Sequence, residues 1–74
     1  MEDSETKTIQ VVLNGEPKPV PAGLHVAGLL QCLAIDGARV AVELNRAIVR
    51  KQDWPTTPVP DGAQIEIVWF VGGG

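Results

Sequence analysis

Hydrophobic residues take every second position in Thr8-Ile9-Gln10-Val11-Val12-Leu13, with Ile9, Val11 and Leu13 on one side. That is the period of a strand with one face buried. Asn14-Gly15 follows, and both central residues of a type I′ turn need φ > 0, so the pair predicts a tight hairpin. The returning segment, Pro17-Lys18-Pro19-Val20-Pro21, lacks three amide donors and predicts an edge strand. After Ala22-Gly23 the period changes. Val26, Leu29, Leu30 and Leu33 stand at i, i+3, i+4 and i+7, the apolar stripe of a short helix. His25 holds the cap position and is a poor cap. Gly28 costs about 1 kcal/mol relative to alanine, so packing has to hold this helix. Asp36-Gly37 is expected to end it. Val40, Val42 and Leu44 then alternate again, Asn45-Arg46 predicts a turn, and Ile48-Val49 a strand stub. Lys51 to Pro60 carries three prolines and reads as a loop anchored by Trp54. Asp61-Gly62 turns the chain into a last strand with Ile65 and Ile67 facing inward.

The order is therefore β-β-α-β-(β)-β. The last strand, "IEIVWFV", is apolar, nearly uncharged and free of proline. On an edge it would invite aggregation. In the middle of the sheet both of its sides are paired. The pattern predicts an α+β fold, a mixed four- to five-stranded sheet packed on one main helix, which is the β-grasp arrangement. Residues 1–7 read as a disordered polar tail, 8–71 as the domain, and 72–74 as a flexible glycine tail.

Composition narrows the class. Seventy-four residues make one small domain, which buries only about 60% of its unfolded surface. The 45% apolar content is that of a globular chain. A single cysteine, Cys32, leaves no internal disulfide and fits a reducing compartment. Residues 1–7 have neither the basic nor the apolar region of a signal peptide, and no apolar run reaches the ~20 residues of a membrane span. The expectation is a cytoplasmic protein. The net charge is −3, of which −2 falls in residues 1–7. A nearly neutral remainder argues against nucleic acid, which calls for a clustered basic face.

The candidate chemistry sits at Val71-Gly72-Gly73-Gly74. Three glycines make a slim arm, able to enter a narrow cleft, and it ends in the α-carboxylate of Gly74. Such a group has an ordinary pKa of about 3.3–3.7 and is ionised at neutral pH, hence a poor electrophile. It needs activation by a partner, as in an acyl-adenylate. No side chain is expected to be catalytic. Val68 and Phe70 fall opposite Ile65 and Ile67 and are candidates for partner docking beside the tail. Trp69 alternates back to the core side and is expected to pack. Cys32, at the border of the helix stripe, is expected to be a buried structural thiol. One histidine and one cysteine do not make a zinc set, and no glycine-rich phosphate loop is present, so no metal or bound cofactor is expected.

"VVLNGEPKPVPAGLHVAGLL", "RVAVELNRAIV" with Trp54 downstream, and "DGAQIEIVWFVGGG" together resemble the small sulfur carriers of thiamine biosynthesis, the ThiS type of the ubiquitin-like β-grasp family. The resemblance covers nearly the whole chain after residue 8. It implies that a ThiF-type adenylyltransferase spends ATP with magnesium to adenylate Gly74. A donor such as a cysteine desulfurase then supplies the sulfur of a thiocarboxylate, and a ThiG-type thiazole synthase receives it. Gly73 and Gly74 match the family's functional residues, and Gly72 is a further glycine often present. The chain would be a monomeric protein co-substrate, not an enzyme. Three positions depart from the family pattern. His25 replaces the usual cap threonine or serine, Gly28 a first-turn glutamate, and Arg46 the glycine after Asn45. The first two remove a capping box. The alternatives are the small subunit of molybdopterin synthase or another thiocarboxylate carrier, a protein modifier joined through Gly74 to lysines, and a β-grasp interaction module that never reacts.

Overall fold

A computed structural model of the chain describes residues 7–71. The expected tails therefore lie outside the described residues, apart from Lys7. The elements are β1 (Thr8–Leu13), β2 (Glu16–Pro21), α1 (Val26–Cys32), β3 (Val40–Leu44), β4 (Ala47–Val49) and β5 (Gln64–Trp69), with 3₁₀ segments at Gly37–Arg39 and Lys51–Thr56. The sheet order is β2-β1-β5-β3-β4. β1 and β5 are parallel, and every other pairing is antiparallel. This is the predicted mixed sheet, with five strands and one main helix. β5 lies between β1 and β3, and the proline-bearing β2 lies at an edge, as its missing donors require.

Both asparagine turns form with positive φ, Asn14-Gly15 at 49° and 85° and Asn45-Arg46 at 51° and 73°. The two predicted strand faces meet α1. Val11, Ile65, Ile67, Val40 and Val42 are buried against Val26, Leu29 and Leu30. Full burial of a side chain such as Leu29 or Ile65 contributes about 1.5–3 kcal/mol.

Helix α1 ends earlier than Asp36-Gly37 predicts. Its last residue is Cys32 and its C-cap Leu33. Ala34 then takes a left-handed φ of 58°. Its N–H bonds Gln31 O at 3.0 Å, and Ile35 N–H bonds Leu30 O at 2.9 Å. That pair of bonds is a Schellman stop. Asp36 instead caps the first 3₁₀ segment, its carboxylate accepting from Ala38 N–H at 3.0 Å. At the other end His25 makes no side-chain cap bond. The Val26 N–H, one of the orphan donors of a helix start, donates to Thr57 O at 2.9 Å. The chain at the end of the second 3₁₀ segment thus satisfies one donor at a helix start whose cap residue supplies no side-chain bond.

Two further expectations are corrected. Cys32 is exposed. At 3.6 residues per turn it stands roughly 120° around the helix from Val26, outside the stripe. The stretch expected to be loop from Lys51 holds a 3₁₀ segment. There the Asp53 carbonyl accepts the hydroxyls of Thr56 and Thr57 at 3.2 and 2.7 Å. Its anchor is as predicted: Trp54 is buried and donates Nε1–H to Val49 O at 2.9 Å.

Candidate functional site

The site is the C-terminal half of β5 and what it carries. Period two holds as far as Ile67: Ile65 and Ile67 are buried, while Gln64, Glu66 and Val68 are exposed. Beyond that the sheet outruns the helix. Val68 is 52% exposed, Trp69 50%, Phe70 63% and Val71 91%. Val68, by strand alternation, lies on the face opposite buried Ile65 and Ile67, and Phe70 just beyond the strand is exposed as well. Trp69 does not pack into the core. It pairs with buried Val40, yet half of its surface is open because no element among the described residues covers that end of the sheet. An unbroken apolar run from Ile67 to Val71 was the sequence signal that alternation had ceased to sort residues into two environments.

The backbone here is firmly held. β3 pairs with β5 from Leu44↔Ile65 to Val40↔Trp69, and Phe70 N–H extends the ladder by donating to Arg39 O at 2.9 Å. The other side uses the asparagine of the first turn. Ile67 N–H donates to Asn14 Oδ1 at 2.7 Å, and Asn14 Nδ2 donates to Ile67 O at 3.3 Å. Asn45 does the same office at the start of the strand, accepting from Gln64 N–H at 2.9 Å. Each turn asparagine thus has a second role that turn propensity alone does not reveal.

Next to Val68 on the helix-free face, Glu43 and Glu66 stand directly opposite each other, an arrangement that is mildly repulsive. They line an open cleft of about 330 Å³ with Arg46 and Gln64. Ile48, cross-strand from Glu43, is 73% exposed. Among the described residues no three of the histidine, cysteine or acidic side chains gather as a metal set. Gly72, Gly73 and Gly74 lie outside the described residues. What the structure provides is a rigid strand whose last described residues lead toward them through an exposed apolar surface.

Comparison with known proteins agrees with this fold. The chain is similar to the thiazole synthase of Paramagnetospirillum magneticum, 42% identical over 66 residues, covering 89% of this chain and 20% of that protein. It is also similar to a thiazole synthase of Magnetococcus marinus, 39% identical over 66 residues, again covering 20% of that protein. The chain thus spans only a fifth of the length of these two relatives. The uncharacterized protein ycf40 of Porphyra purpurea is matched over 96% of its length at 32% identity. Among solved structures, the thiamine biosynthesis protein ThiS of Geobacter metallireducens superposes with a TM-score of 0.78 at 34% identity. That match covers 89% of this chain and 100% of that one. The ThiS family profile matches residues 11–74, and the chain belongs to the ThiS family.

Proposed function

We propose that the protein is a sulfur carrier for thiamine thiazole synthesis, and that the reacting group is the α-carboxylate of Gly74. The observation that carries this reading is the end of β5. A strand held on both sides as far as Ile67 leads through exposed Val68, Phe70 and Val71 to three glycines. Membership of the ThiS family supports it, as does the likeness to part of the thiazole synthases named above.

In this reading the activating partner, a ThiF-type adenylyltransferase, binds ATP and magnesium. The carboxylate of Gly74 attacks the α-phosphorus, and pyrophosphate leaves. AMP then departs from the acyl carbon as a persulfide sulfur of the donor, for example a cysteine desulfurase, attacks it. A second thiol cleaves the S–S bond and leaves the thiocarboxylate. A ThiG-type thiazole synthase takes the sulfur. Gly72 and Gly73 admit the arm to a narrow active site because they have no side chain to obstruct it. Val68 and Phe70 dock against the partners. No side chain of this chain takes part in bond making, and the carrier works as a monomer in the cytoplasm. No helix among the described residues is long and apolar enough to cross a membrane.

The test is intact-protein mass spectrometry after incubation with the adenylyltransferase of the same genome, ATP and a sulfur donor. The expected result is exchange of one oxygen for one sulfur at the C-terminus. Deletion of Gly74 is expected to abolish ATP–pyrophosphate exchange with an unchanged circular dichroism spectrum. Exchange as fast as with the full chain removes the reading. Lysine conjugates of high mass in cells point to a protein modifier instead.

A further inference from the structure

The backbone of β5 alternates between its two neighbours. Even-numbered residues face β3: Phe70 N–H donates to Arg39 O at 2.9 Å, and Gln64 O accepts from Asn45 N–H at 2.7 Å. Odd-numbered positions face β1: the carbonyls of Ala63 and Ile65 accept from Val12 and Asn14 N–H, both at 2.8 Å. β1 runs parallel to β5 but stops at Leu13, opposite Ile65. At the next odd residue the Asn14 side chain takes the place of a strand, its Oδ1 and Nδ2 engaging the N–H and C=O of Ile67. A primary amide offers the same donor and acceptor as a peptide group, so Asn14 marks what this edge binds. By the same alternation the N–H and C=O of Trp69 and the N–H of Val71 point the same way. Among the described residues nothing bonds to them. With Trp69 50% and Val71 91% exposed, this stretch of edge is open.

We propose that the edge from Trp69 to Val71, on the side away from β3, receives an extended main-chain segment of the activating adenylyltransferase, which adds a strand to the sheet between the Asn14 cap and the terminal glycines. This rests on the tail reading above. A primary amide can satisfy the pair of groups at one residue, as Asn14 does at Ile67, but donors and acceptors repeated two residues apart along the edge match the repeat of an extended backbone. A second copy of the chain is a poor occupant. The open edge holds three bonding groups, too few for a stable pairing of strands by themselves, and the Asn14 cap keeps it short. A partner that also encloses the tail supplies the remaining contact area. The consequence is metrical. A chain held in register along this edge has its reach fixed, and a slip of one residue displaces Gly74 by about 3.4 Å.

Val71→Pro removes an N–H that β3 does not use, and Val71→Ala trims the side chain alone. ATP–pyrophosphate exchange by the adenylyltransferase of the same genome is measured against carrier concentration. Val71→Pro is expected to raise the concentration for half-maximal exchange about tenfold, the effect of losing one well-placed hydrogen bond. Val71→Ala is expected to raise it less than about threefold on the same scale, with thermal melting unchanged in both. Equal shifts overturn the proposal. Amide hydrogen exchange on the unaltered chain gives a second readout: Trp69 and Val71 are expected to become protected when the enzyme is added, and unchanged rates overturn it as well. Deletion of Gly74 separates the two readings. If the deletion leaves exchange intact, the tail reading fails. If it abolishes exchange while Val71→Pro behaves as Val71→Ala, only strand addition fails.

Discussion

Four non-glycine residues among those described hold a positive φ: Asn14, Ala34, Asn45 and Arg46. The two asparagines were legible, because their side chains tolerate that region and they stand at turns. Arg46 was legible as a departure, a bulky residue at the second turn position where glycine fits best. Ala34 was not. It is locally an ordinary helix former, and only the packing of Leu33 and Ile35 against the core makes the chain stop there. Its left-handed conformation costs about 1–2 kcal/mol. Ala34→Gly is therefore expected to raise stability by about 1 kcal/mol in urea unfolding, after the greater flexibility of glycine in the unfolded chain is offset. Asn14 works in the opposite direction. Glycine at that position suits the turn but forfeits both bonds to Ile67. Asn14→Gly is expected to lower stability by about 1–3 kcal/mol, because the Ile67 amide loses its partners in a half-buried place. A neutral result would mean that the turn alone matters.

At the scale of elements, the strands were read from period two, and the helix was placed from its stripe. Its length was not. Val26 to Leu33 fit the period, yet regular structure stops at Cys32 because Ile35 turns back to the core. The 3₁₀ segments have no apolar period to betray them. They are set by the Asp36 cap, by the Thr56 and Thr57 hydroxyls bonded to the Asp53 carbonyl, and by the burial of Trp54. Here Gly37 matters for close approach. A Cβ at that position would stand 2.8 Å from Trp54 Cζ3. The Trp54 ring cannot move freely, since its Nε1 is tied to Val49 O and Lys51 Nζ lies 5.7 Å from its centroid. Gly37→Ala is expected to destabilise by about 1–3 kcal/mol through overpacking, with a shift in tryptophan emission. Unaltered melting and emission would show that the ring yields without cost.

On the scale of the whole molecule, the sheet is longer than the helix that covers it, and the surplus is the end of β5. Phe70 is 63% exposed. Phe70→Ala is expected to change unfolding stability by less than about 0.5 kcal/mol, as a surface substitution. It should weaken binding to the adenylyltransferase about tenfold or more, in the range of a docking residue. Titration calorimetry and urea unfolding on the same variant check both halves, and equal affinity would remove Phe70 from the docking surface. The sequence by itself determined the strands, the two hairpin turns, the edge position of β2, the central position of β5 and the apolar residues that face the helix. These follow from side-chain period, from φ preference and from missing amide donors, all properties of residues close together in the chain. Tertiary structure alone decided that β1 stops short of the end of β5, that Asn14 bonds a residue 53 positions away, and that the Thr57 carbonyl caps the helix. Those outcomes depend on where distant segments end in space, and local pattern carries no record of that.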